Sequence, residues 1–232
     1  MMSTVEISES HVGQPIQGGG PTLWALVGAL AGLAGIVGIQ ASSTIDAVYV
    51  SEGVADASAI TARLAEQRSS ILVEHTALIL SSVLLLVFAA GLRRYLSRGL
   101  PEESLVPWVA AGGVLLTSVV CLIGTGFTTE IVFGLGDTDL IVPEFAVVVG
   151  HWLGTIPWLW VGVGVSGIAV AVASLKHRAA PRWIGWTSAV LGGITALFGV
   201  SPLQYMAGFT GPVWVLVVSI GFFFGERNRN GA

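Results

Sequence analysis

The chain has 232 residues, of which 10 are Lys or Arg and 14 are Asp or Glu, giving a formal net charge of −4. That is 10% charged, against about 25% in ordinary soluble domains, while 53% of residues are hydrophobic and mean hydropathy is +0.83. These figures exclude a soluble globular enzyme, a disordered chain and a nucleic-acid binder, which would need a basic surface to follow phosphates. A single cysteine, Cys121, excludes a disulfide scaffold or a multi-cysteine metal site. The composition is that of an integral membrane protein.

Residues 1–21 are polar, contain Gly18, Gly19 and Gly20, and lack Lys and Arg. A secretory signal begins with basic residues, so this stretch reads instead as a disordered cytoplasmic tail. A membrane-crossing helix needs about 20 mainly apolar residues. By that measure the first span is 22–41, with Gly28, Gly32, Gly35 and Gly38 forming a small-residue face that lets helices approach closely. After it, Ser51-Glu52-Gly53 reads as a turn, and Asp56 or Ser58 as the cap of a helix on which Ile60, Leu64 and Ile71 recur at helical spacing. This outer amphipathic helix either continues into the second span as one rod or lies on the membrane surface. The second span is 71–92. The third, 107–127, starts at Pro107, where a missing N–H costs nothing.

The fourth span, 144–175, is expected to be long and kinked at Pro157, which frees the carbonyl of Leu153. Gly150, Gly154, Gly162, Gly164 and Gly167 give it a second small-residue face. The fifth span is 183–200. The sixth, 212–225, starts at Pro212, and 226–232 is a cytoplasmic tail. The expected fold is therefore all-α: a polytopic membrane helix bundle with six transmembrane helices over residues 22–225, preceded at the second span by an extra outer helix.

Basic residues give the orientation. With both termini cytoplasmic, Arg93, Arg94, Arg98, Lys176, Arg178, Arg182, Arg227 and Arg229 lie inside and only Arg63 and Arg68 outside. Trp24, Trp108, Trp183 and Trp186 then mark the inner interface and Trp214 the outer one. The expected location is the plasma membrane. The outer side is acidic, with Asp46, Glu52, Asp56, Glu66, Glu130, Asp137 and Asp139. It reads either as a solvated face or as a funnel for cations or amines.

Ionisable groups inside a bilayer are expensive, so each needs a reason. His75 lies roughly 6 Å into the second span and His151 roughly 10 Å into the fourth, counting 1.5 Å per residue. Both belong to the outer leaflet. Each histidine on its own reads as one interhelical hydrogen bond. As a pair they read as ligands of a haem or metal ion, with Glu74 and Glu144 as further ligands or orienting partners. Glu74, His75, Glu144 and His151 also make a candidate acid–base site acting on a lipid or isoprenoid. Trp152, Trp158 and Trp160 beside Pro157 read as packing or as the wall of a ligand pocket. Met206, near Gln204 and Tyr205, is a weaker axial-ligand candidate. No HExxH zinc motif and no GxxxxGK[ST] phosphate loop occurs.

The stretch 53–96 reads GVADASAITARLAEQRSSILVEH followed by an apolar run ending GLRRYL. An outer amphipathic helix with an Arg near its end, then a span closed by Arg-Arg, resembles a broad group of bacterial six-helix integral membrane proteins frequent in actinobacteria. The resemblance covers the first three helices. It implies a fold and a membrane location, and no catalytic residues. The reading adopted is an accessory or small-molecule/lipid-binding membrane bundle without a catalytic motif. The alternatives are a haem- or metal-binding redox protein using His75 and His151, and the intramembrane lipid or isoprenoid enzyme. A channel or transporter would need ionisable groups near the midplane, which the inner halves of the spans lack. Expected partners are membrane lipids, and a protein partner or second copy through the glycine faces, with no nucleic acid.

Overall fold

The computed structural model describes residues 23–49 and 56–230, with side chains to Gly225. The expected tail at 1–21 and the turn at Ser51-Glu52-Gly53 lie outside the described residues. Among those described there are helices and no strands. The helices are α1 (Leu23–Ser42), α2 (Ala57–Glu66), α3 (Arg68–Ser97), α4 (Val106–Gly134), α5 (Pro143–Leu153), α6 (Val161–Leu175), α7 (Arg182–Thr187), α8 (Gly193–Gly199) and α9 (Ala207–Asn230). A π-helical turn, Ser188–Gly192, joins α7 to α8.

Among the described residues five segments are long and apolar enough to cross a membrane: Leu23–Ser42, Arg68–Ser97, Val106–Gly134, Pro143–Leu175 and Gln204–Gly225. The helices pack in a ring in which α1 touches α3, α3 touches α4, α4 touches α6, the α7–α8 stretch follows α6, and α9 closes back on α1. Two apolar cores result. One fills the ring, with Phe88, Trp160, Trp214 and Phe222 among its largest members. The other lies at one end of the bundle, where α2 packs on α5 around Leu64, Ile71, Ile131 and Val149.

Glycine makes the ring possible. A Cβ on Gly113 of α4 would stand 2.2 Å from the Gly162 carbonyl of α6, and one on Gly162 would stand 2.4 Å from the Gly113 carbonyl. Gly32 of α1 faces the backbone of α9 at Leu216, and Gly167 of α6 faces Gly192 of the π turn. The glycine face expected on α1 is turned inward: Gly28 meets Phe88, Gly35 meets Trp160 and Gly38 meets Leu78.

Several expectations need correction. The fourth segment is broken rather than kinked. Residues 154–160 separate α5 from α6 and hold only a 3-10 turn, Ile156–Trp158. Pro157 lacks an N–H and disfavours helix in the residue before it, so the chain leaves α5 at Gly154 and restarts at Val161. The freed Leu153 carbonyl is satisfied as the proline predicts it must be: Ser42 Oγ donates to it at 2.8 Å, and Trp158 Nε1 donates to Ser42 Oγ at 3.0 Å.

Pro212 sits inside α9, not at its start, because the helix begins five residues earlier at Ala207. Trp24 and Trp214 are core residues rather than interfacial anchors. Trp24 packs on Phe88 and Phe222, and Trp214 Nε1 donates to Ser188 Oγ at 3.0 Å. Trp108, Trp183 and Trp186 are exposed, and Arg93 lies 3.6 Å over the Trp108 ring. Asp56 is the cap of α2, accepting from the Ser58 N–H, and α2 and α3 are separate helices that meet at Gln67.

Candidate functional site

Positions α1 to α3 run antiparallel in a fixed register. Gly38 meets Leu78, Ser81 Oγ donates to the Ala31 carbonyl, and Thr44 Oγ1 donates to Ser70 Oγ. Ser42, the last residue of α1, is therefore level with the start of the apolar part of α3. There the chain of α1 turns into the segment 43–49, and the break at 154–160 and the start of α9 come alongside. Between them lies a cleft of about 650 Å³, within the usual range for small-molecule sites.

The cleft has an aromatic wall made by Tyr49, Trp158, Tyr205 and Phe209. Trp158 and Phe209 meet edge to face, with centroids 4.7 Å apart. Its polar groups are Ser42, Ser43, Thr155 and Gln204, and one carboxylate, Asp46. No Lys, Arg or His is among its lining residues. Gly154 is the point of closest approach, since a Cβ there would lie 2.2 Å from the Tyr49 hydroxyl. The Ser42 hydroxyl both lines the cleft and ties Trp158 and Leu153 together, so the cleft floor and the helix break share one hydrogen-bonded hub.

Asp46 is held from above. Gln67 Nε2 donates to Oδ1, and Arg63 reaches it with Nε and Nη2, each at 3.3 Å. The hydrogen bond from the Gln67 amide, the largest effect, holds the Asp46 carboxyl below its ordinary value; burial opposes it, and the Arg63 guanidinium adds to the lowering. A depressed folded value means a stabilisation present above the unfolded value, near about pH 4, and lost as pH falls through the folded one. Once observed rates are divided by the intrinsic rate at each pH, residues 43–49 should therefore lose protection at acid pH, and Asp46→Asn should remove that pH dependence. Hydrogen-exchange mass spectrometry across pH 3 to 7, roughly the carboxylate range, checks it; an unchanged profile in Asp46→Asn would show the tether to be unimportant.

The four expected site residues are differently placed. Glu74 is buried, 1% exposed, and neither carboxylate oxygen has a hydrogen-bond partner among the described residues. His75, beside it in sequence, is half-buried and its Nδ1 pairs with Thr128 Oγ1 at 2.7 Å on α4. Glu144 and His151 are exposed on α5, where His151 meets the Tyr49 ring edge-on at 6.0 Å. α5, which carries Glu144 and His151, packs mainly on α2. Among the described residues no three His, Cys, Asp or Glu side chains lie together as a metal site would require. Cys121 is buried.

Of the cleft residues, Trp158 carried a sequence signal, an aromatic beside a helix-breaking proline. Tyr49 and Phe209 carried none. They come from segments 160 residues apart in the chain, and only the ring closure of α9 on α1 unites them. No protein-family model, curated protein or solved structure matches this chain.

Proposed function

We propose that the protein is a six-span, non-catalytic membrane bundle of the plasma membrane that binds a small amphipathic molecule in the outer cleft. The observation that carries the reading is the cleft itself: about 650 Å³ with four aromatic rings, several neutral hydrogen-bonding groups, one carboxylate and no cationic side chain. An anion would meet no cation there. An aromatic or aliphatic body with a neutral or cationic head would find ring faces, and a cation over an aromatic face gains about 0.5–2 kcal/mol.

The sixth crossing in this reading is the α7–α8 stretch. Its Gly185 meets Leu175, Gly192 meets Gly167 and Gly199 meets Val161, so it runs antiparallel beside α6 along the whole of that helix. An odd number of crossings would separate the basic loops. Instead Gly91 meets Trp24 and Gly99 meets Ala179, which bring the start of α1, the end of α3 and the α6–α7 turn to one end of the bundle. Eight of the ten Lys and Arg residues belong to that end by their place in the chain, which is the cytoplasmic end under the positive-inside rule. Membrane lipids are the expected neighbours of the apolar hollow of about 640 Å³ between α1 and α3.

Titration calorimetry with two probes of one shape and opposite charge, benzyltrimethylammonium and benzenesulfonate, tests the reading. The cation is expected to bind and the anion not. Tyr205→Ala and Phe209→Ala should each weaken binding about tenfold, equivalent to 1.4 kcal/mol. Binding unaffected by either substitution, or equal binding of both probes, would remove the cleft as the site.

A further inference from the structure

We propose that Glu74 is a proton-binding site within the bundle, exchanging with the outer aqueous side along one face of α3. This stands independently of what occupies the cleft.

Four buried side-chain atoms lack a hydrogen-bond partner among the described residues: two are the oxygens of Glu74 on α3, and a third is Oε1 of Gln67, the residue at which α2 and α3 meet. Seven residues separate the two side chains, two turns of helix, so they project from the same face about 10 Å apart along it. Ile71, between them, belongs to the outer apolar core, and Leu78, one turn below Glu74, belongs to the ring core. Glu74 thus sits at the boundary of two dry clusters. The helix register places it level with Ser42 on one side and with Thr128 on the other, through Thr44–Ser70, Gly38–Leu78 and His75–Thr128.

A bare carboxylate in such a place needs a counter-charge. The nearby cations are committed elsewhere. Arg68 Nε donates to the Val132 carbonyl at 2.7 Å, and Arg63 is paired with Asp46 and Glu66. The titratable groups presented by neighbouring elements are Asp46 and Tyr49 after α1, Arg63 and Glu66 on α2, Glu130 on α4, and Glu144 and His151 on α5. None is hydrogen-bonded to Glu74, and α1 and α6 carry no ionisable side chain. His75 is turned to Thr128. A metal ion would need further ligands, and no such group is assembled among the described residues. A proton neutralises the carboxylate with no additional ligand. Outward on the same side come Ser70, paired with Thr44, and then Gln67, whose amide reaches Asp46 on the cleft wall, so the face from Asp46 through Gln67 and Ser70 is the direction of exchange.

The test uses the full chain in nanodiscs. Infrared difference spectra of wild type minus Glu74→Gln should show, at neutral pH, the carbonyl band of a carboxylic acid that shifts in D₂O and disappears as the pH is raised. Absence of that band at neutral pH, or a band unmoved by both D₂O and alkali, overturns the proposal. Should Glu74→Gln not fold, dicyclohexylcarbodiimide, which attacks carboxylic acids in apolar surroundings, decides on the wild type. Mass spectrometry should find Glu74 labelled about tenfold more than exposed Glu66, with labelling falling at alkaline pH. Equal or absent labelling of Glu74 overturns it.

Discussion

Replacing Gly113 by leucine is expected to cost more than about 3 kcal/mol, the upper end of overpacking penalties, while alanine one residue away, at Gly112, is expected to stabilise by about 1 kcal/mol. The two glycines are neighbours on α4 and differ only in what they face. Gly113 is buried against α6, where a Cβ would meet the Gly162 carbonyl at 2.2 Å and Ser166 Oγ at 2.4 Å. Backbone cannot give way as a side-chain end can. The seam also has its own hydrogen bonds: Ser166 Oγ donates to the Ala110 carbonyl at 2.6 Å, and Thr117 Oγ1 accepts from the Val163 N–H at 3.1 Å. That N–H lies in the first turn of α6, where no carbonyl of its own helix is available. Forcing the helices apart at Gly113 would lengthen both bonds. Gly112 has nothing within 4 Å, so alanine there gains helix propensity without a clash.

The measurement is built into the chain. Cys121 is the single cysteine and is buried, so a thiol-reactive fluorophore reports unfolding directly. Gly113→Leu should label at once at room temperature, and Gly112→Ala should label only at higher temperature than the parent. Equal melting of the two variants would mean that α4 and α6 do not pack through glycine.

The same seam shows what was legible in the sequence. Small residues at Gly162, Gly164 and Gly167 signalled close packing, and spans, capping by Asp56 and the freed carbonyl at Leu153 could be read from local rules. Partners could not, because a helix face carries no label for the helix it meets. Trp24 and Trp214 were misplaced for that reason: an aromatic near a span end looks interfacial unless one knows that Phe222 or Ser188 is waiting for it. The break at 154–160 was half legible. Pro157 announced a disturbance, but whether the chain would bend or leave the helix depended on Ser42 and Tyr49, more than 100 residues earlier. The candidate site shared that limit. Glu74 was singled out as an ionisable group near a span end. That its oxygens would find no hydrogen-bond partner among the described residues, while His75 beside it pairs with Thr128, depended on the neighbouring helices.

Glu74→Met is expected to raise stability by about 2 kcal/mol, the scale on which an unpartnered buried polar group destabilises a fold. Methionine has nearly the shape of glutamic acid, adapts to irregular space and asks for no hydrogen bond. The carboxyl it replaces is 1% exposed and has no hydrogen-bond partner for either oxygen among the described residues, so no hydrogen bond seen there is removed with it. His75→Leu, at the adjacent position, should act in the opposite direction by about 1 kcal/mol, because it leaves Thr128 without its imidazole partner at 2.7 Å. Two neighbours on one helix thus carry opposite signs, and the Cys121 labelling assay ranks them against the parent in one experiment. A destabilised Glu74→Met would mean that the carboxylate has a partner in the membrane, and would return Glu74 to structural duty. A stabilised variant would place Glu74 among residues kept at the expense of stability, which is the mark of a group retained for what it does.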